Sequence, residues 1–231
     1  MNPPAGFWRR YAAYSLDAAL VGLLALPLCW SRYLVHRSGL LDGLASLQRR
    51  LWELLDSALL RPEATPLTLA NEWAADPALR AGVTTLTGTL CDLLLEAGLI
   101  YVVLAAAWFI ASEASPWQAS PGKRIFGLRV TDMSGARAGP GRIAGRFFGA
   151  APSWLLLNLG HAIAAWTPGK RALHDYLAGT RVELAPSAPA AMPRGARAWL
   201  WLQAALYCGL LGFIVLRYVQ LLWEVASGGL A

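Results

Sequence analysis

Charged residues are scarce in this chain, making up 15% of its 231 residues against 56% hydrophobic ones. A soluble domain carries about 25%, so an ordinary water-soluble fold is excluded and one membrane domain is the natural count. Cysteine is nearly absent as well. Cys29, Cys91 and Cys208 are scattered and form no C-x-x-C pair, which removes both a disulfide framework and a zinc site. His36, His161 and His174 have no metal-ligand spacing. Catalytic constellations are missing too. Gly122-Lys123 lacks the glycine five residues earlier, where Trp117 stands, and Arg124 replaces the Ser/Thr of a phosphate loop. His174-Asp175 has no nucleophile elbow beside it. No catalytic residue, metal or cofactor is expected, and the chain does not read as an enzyme. The net charge of +6 is not gathered on one helix face, which argues against a nucleic-acid partner.

What is present is long apolar runs. Residues 12–30, 89–111, 147–167 and 199–223 are each long enough to cross a hydrocarbon core of about 30 Å. Nine of the eleven tryptophans fall near the ends of these runs, where amphipathic rings sit at headgroup level. The first run, broken by Asp17 and followed by no small-x-small site, is expected to be an uncleaved span rather than a signal peptide. The runs also carry polar groups: Asp17 in the first, Asp92 and Glu96 in the second, Asn158 and His161 in the third, Arg217 in the fourth. A charge at bilayer depth costs roughly 2.5–3.5 kcal/mol on insertion scales, so it persists when paired, snorkelled or used.

Segment charge sets the expected orientation. Residues 1–11 carry +2 and residues 113–146 carry +4, whereas six arginines balance six acids over 31–85. The positive-inside rule puts the first two in the cytoplasm and the third outside, in a bacterial inner-membrane, multi-pass topology. The outer stretch, an insertion over about 34–85, has leucines at helical spacing from Leu40 to Leu55, as an amphipathic helix on the bilayer or over the bundle would. Basic residues flank the third run on both sides, so a re-entrant hairpin fits it better than one crossing. A repeat agrees: Pro121-Gly122-Lys123-Arg124 returns as Pro168-Gly169-Lys170-Arg171, each followed by Gly-x-Arg-Val. The two Arg-Val pieces are expected to pair as a short β-ribbon on the cytoplasmic face. Residues 184–197 read as a flexible Pro/Ala linker and 198–231 as an additional transmembrane helix. The fold expected is therefore an all-α integral membrane protein, a helical bundle with three to four apolar spans, the third re-entrant, plus that ribbon.

Three ordered motifs stand out: Phe7-Trp8-Arg9-Arg10-Tyr11-Ala12-Ala13-Tyr14-Ser15-Leu16-Asp17, then Ser120-Pro121-Gly122-Lys123-Arg124-Ile125-Phe126-Gly127-Leu128-Arg129-Val130-Thr131-Asp132, then His174-Asp175-Tyr176-Leu177-Ala178-Gly179-Thr180. With them the chain resembles the RDD family of membrane proteins, named for one arginine and two aspartates, over residues 5–183. The resemblance implies that these three residues are Arg10, Asp17 and Asp175, forming a charged cluster at the cytoplasmic mouth. It also implies transport of ions or small solutes, which has been proposed for some members. From spacing alone, Asp92 and Glu96 share one helix face, and with Asn158 and His161 they would line a proton or cation path. Two functions stay open. One is transport of a small cation or solute, with proton coupling; the other is a non-transporting scaffold or regulatory partner in which the charges only fix helix packing. The partners implied are the lipid bilayer, a small cation or solute, and a second copy or another membrane protein.

Overall fold

A computed structural model describes residues 2–61, 65–156 and 158–227. Two compact units result, one from residues up to 20 together with those from 106 onward, the other from residues 21–105. Among the described residues three helices are long and apolar enough to cross a membrane: α1 (Phe7–Leu59), α3 (Pro77–Ala114) and the C-terminal α9 (Arg194–Ala226). The apolar residues of α9 are exposed along its length, from Leu202 to Trp223, as a helix facing lipid requires. The chain is thus an all-α membrane protein with a small two-stranded sheet.

In the unit of residues 21–105 the structure differs from the expected span, loop and amphipathic helix. The first apolar run and the Leu-rich stretch are one uninterrupted helix. Nothing between Trp30 and Leu40 breaks it: that segment holds no proline, and its lone Gly39 costs only about 1 kcal/mol in a helix. At 53 residues α1 is about 80 Å long, and α3 with 38 residues is about 57 Å, so both outreach a bilayer core. Between them lies α2 (Pro66–Ala75), with Thr65 as its N-cap. The α1–α3 seam runs antiparallel through small residues. Gly39 packs on Thr89, Gly43 on Leu86 and Gly82 on Leu47, the close approach that a G-x-x-x-G spacing permits. Ion pairs fasten the same seam. Arg32 grips both Glu96 oxygens at 2.6 and 3.1 Å, His36 Nε2 lies 3.1 Å from Glu96, and Arg50 joins Asp76.

In the other unit a small core of Ala12, Ala13, Phe126, Leu128, Val130, Ile143, Val182 and Leu184 gathers the short elements round the start of α1. β1 (Leu128–Asp132) pairs antiparallel with β2 (Thr180–Leu184), Val130 opposite Val182, so the two Gly-x-Arg-Val units of the repeat pair with each other. The N-terminal segment joins this ribbon: Ala5 donates to Val182 O and Leu184 donates to Pro3 O. The third apolar run is broken into α5 (Pro140–Phe148), α6 (Ala151–Leu155) and α7 (Leu159–Ala162), followed by a 3₁₀ turn. The path bends by 114° at the break between Leu155 and Leu159. Gly160 is required there, because a Cβ would stand 2.1 Å from Ser153 Oγ. α4 (Pro121–Ile125) and α8 (Leu173–Ala178) complete the unit. The stretch read as a flexible linker is tied down, since Arg9 donates to Pro189 O at 2.7 Å and to Ala191 O at 3.4 Å.

Candidate functional site

Asp17 sits on the buried face of α1 and is fully enclosed. Its Oδ1 accepts from Gly122 N at 2.8 Å and Trp108 Nε1 at 3.0 Å, and its Oδ2 accepts from Ser120 Oγ at 2.5 Å. Ser120 is the N-cap of α4, yet its side chain makes no cap bond. The carboxylate of α1 caps α4 instead, satisfying a first-turn N–H and meeting the positive helix end. The backbones come so close that a Cβ on Gly122 would lie 2.5 Å from Ala13 O. Ser-Pro-Gly is therefore the local recipe for this contact. Proline starts the turn, glycine admits α1, and serine donates to the aspartate. The second copy of the repeat meets no such carboxylate. It forms a turn ending at Lys170, whose φ is 49°, with Thr167 Oγ1 bonded to both N and O of Arg171.

Asp175, in the first turn of α8, is equally enclosed. Arg10 meets its Oδ2 at 2.5 Å and Arg146 Nε donates to its Oδ1 at 3.0 Å. Arg10 also donates to Lys170 O. The carboxylate further accepts the Ala172 N–H at 3.0 Å. Burial alone would raise this carboxyl's pKa, but the Arg10 and Arg146 charges outweigh it and hold it well below the usual carboxylate range.

The two aspartates are linked through residues that the sequence presented only as charge. Lys123, one turn along α4, donates to Ser120 Oγ at 3.4 Å and pairs with Glu113 at 2.6 Å. Glu113 pairs in turn with Arg146 at 2.6 Å. The result is a continuous buried relay: Asp17, Ser120, Lys123, Glu113, Arg146, Asp175, Arg10. Its six charges alternate in sign and sum to zero, the condition under which ions tolerate burial. Arg146 left one signal in the sequence. It lies on the same helix face as buried Ile143 and Phe147, a cation inside an apolar stripe. Arg9, next to Arg10, takes no part and holds carbonyls alone, Phe126 O among them at 2.7 Å.

His174 closes one side of this cluster. Its Nε2 lies 3.1 Å from Arg146 Nη2. A guanidinium only donates, so Nε2 accepts and the proton sits on Nδ1, a buried atom with no partner among the described residues. Burial and the neighbouring Arg146 hold the imidazole well below its ordinary pKa, so it is neutral. His161 packs tilted against it with ring centroids 4.7 Å apart, and against Tyr14 at 5.2 Å. Two small cavities of about 50 and 70 Å³ share Tyr14, Lys123, Arg146, His161 and His174 as walls.

The residues expected along a proton or cation path are placed apart from one another in character. His161 lines the cavities. Asn158 is exposed, in a left-handed turn at φ 63° before α7. Glu96 is already held by Arg32 and His36, and Asp92 is exposed on α3. Among the described residues no three His, Cys, Asp or Glu side chains group as a metal site.

The relay uses the arginine of the first motif, both aspartates and the lysine of Ser-Pro-Gly-Lys. The RDD family model covers residues 4–179. The chain belongs to the RDD family. One curated relative, the uncharacterized protein YxaI of Bacillus subtilis (strain 168), is 25% identical over 182 residues, which is 79% of this chain and 98% of that protein. No solved structure matches. α9 lies beyond the residues that the family model covers.

Proposed function

We propose that this RDD protein is a non-enzymatic, multi-pass protein of the bacterial cell membrane, N-terminus in the cytoplasm, that moves a small solute through the polar centre beside the relay. The observation that carries this reading is the pair of adjoining cavities walled by Arg10, Lys123, Arg146, His161 and His174. Space beside buried, mutually compensated charges is where a solute can exchange its water for protein contacts. A cation bound at the motif aspartates is the weaker form of the reading, because Asp17 already accepts three hydrogen bonds and Asp175 faces two guanidiniums. His161 is the group that faces the solute. Asp92, Glu96 and Asn158 have no role in it, given the Arg32 and His36 pairing of Glu96 and the exposure of the other two.

The test is flux into proteoliposomes holding the full chain, across a panel of small cations and small organic and inorganic anions, with and without a pH gradient. Uptake of at least one solute is expected, and His161→Leu should abolish it while the amount of folded protein stays unchanged. A second reading is favoured by the relay's complete charge compensation: a non-transporting scaffold or regulatory partner whose charges only hold its parts together. Absence of flux for the whole panel, with the protein folded by its thermal transition, would select that second reading.

A further inference from the structure

We propose that the cavity walled by Arg10, Lys123, Arg146, Tyr14, His161 and His174 is an anion site, built for a small oxyanion such as a carboxylate or phosphate group. Three cationic side chains line the larger cavity, and neither Asp17, Glu113 nor Asp175 does. Each acid instead lies behind the cation it pairs with, Glu113 behind Lys123 and Arg146, Asp175 behind Arg146 and Arg10. The relay as a whole is neutral, yet it turns its positive members toward the space. Only in the smaller cavity does Glu113 reach the wall, where Lys123 and Arg146 both hold it.

The neutral groups complete the match. His174 is 5% exposed and lines both cavities, and its Nδ1–H has no acceptor among the described residues. A donor left unpaired at such burial is destabilising, and an anion or water accepting from it would offset that. Trp154 adds a second buried N–H without a partner in the wall of the smaller cavity. A volume of about 70 Å³ has room for roughly two waters at about 30 Å³ each, which is the scale of a carboxylate or phosphate group. A bare metal cation would meet three positive side chains and be repelled. The inference rests on the solute reading above for what the anion is moved for, and names its chemical class; binding itself needs no movement.

The experiment uses the full chain, purified in neutral detergent and stripped of lipid. It is titrated with inorganic phosphate and with acetate at constant sodium and ionic strength, following the thermal transition. A saturable upward shift is expected. The double variant Tyr14→Phe, His161→Leu leaves every ion pair of the relay in place, so it should keep its ligand-free transition while binding weakens roughly tenfold or more. Short-chain phosphatidylglycerol is then added as a competitor. Competition assigns the site to a lipid headgroup and no competition assigns it to a free oxyanion; both support the site. No saturable effect of phosphate, acetate or lipid on the wild type overturns it, as does equal binding by the double variant. Binding without flux would leave the site standing and remove the transport reading, whereas flux without anion binding would do the reverse.

Discussion

At the scale of single residues, the two ends of the Arg10–Asp175 pair differ in weight. Asp175 is fully buried and faces two guanidiniums, whereas the Arg10 side chain keeps 11% exposure. Removing one partner of a buried pair costs about 3–5 kcal/mol, chiefly because the other charge is left behind. Asp175→Asn strands Arg10, while Arg146 keeps Glu113; Arg10→Met strands no charge, since Arg146 still serves the aspartate. Folded yield in membranes should therefore fall further for Asp175→Asn than for Arg10→Met, and the reverse order would remove the shared-carboxylate account. Acid should act through His174. Burial, then Arg146, holds its folded pKa well below 6.5. As pH falls through about 6.5, the unfolded chain takes up a proton that the folded chain refuses. Stability drops by at most about 1.4 kcal/mol per pH unit. Asp175, depressed from 3.8, is ionised in both states above about pH 5 and adds no slope there. A thermal transition measured from pH 8 to pH 5.5 should fall in the wild type and fall less in His174→Gln; parallel curves would refute this. Asp17 was legible in the sequence because a charge inside an apolar run is conspicuous, and Arg10 and Asp175 were reached through the family resemblance. Lys123, Glu113 and Arg146 were not, because each stands in or beside a basic, turn-rich segment and looks like an interfacial charge until the fold buries it.

At the scale of elements, the feature that organises the polar unit is a cap supplied from another helix. α4 spans only five residues, too short to be stable alone, and the Asp17 carboxylate on its first N–H groups anchors it to α1. Gly122→Ala should uncouple the two, because its Cβ would fall 2.5 Å from Ala13 O and 2.8 Å from Asp17 Oδ2, and backbone cannot swing aside as a long side chain can. The thermal transition should drop by several degrees, while Gly169→Ala in the second copy, whose Cβ meets only Arg171 carbons at 3.5 Å or beyond, should change it little. Equal effects at the two positions would show that the repeat, not the cap, governs both. The same contrast explains what sequence reasoning reached at this scale. Strand composition in the two Gly-x-Arg-Val units was enough to foresee their pairing. The different fates of the two Pro-Gly-Lys-Arg copies were not foreseeable, since they depend on a carboxylate more than a hundred residues away. The continuity of α1 was hidden for the opposite reason: polarity changes near Trp30, and a change of environment was taken for an end of helix where no breaker stands.

At the scale of the whole molecule, the ribbon constrains the membrane path. Val130 pairs with Val182 and Pro4 bridges to Glu183, so residues near 4, 130 and 182 share one side of the bilayer. A re-entrant path for the run from Pro140 to Ala165, the expectation drawn from its flanking charges, is compatible with its 114° bend and with backbone buried in protein at membrane depth. The proposed orientation, drawn from the positive charge on residues 1–11 and 113–146, has the ribbon side in the cytoplasm. Ser120 and Thr180 are fully buried and unsuited to labelling, but Ala136, Ser187 and Ala75 are exposed. In a background with Cys29, Cys91 and Cys208 replaced, Ala136→Cys and Ser187→Cys should react with a membrane-impermeant thiol reagent only after the cells are opened, and Ala75→Cys in intact cells. All three reversed would invert the orientation and leave the fold untouched. Ser187→Cys reacting from outside while Ala136→Cys does not would break the ribbon, and with it the relay that joins Asp175 to the first helix.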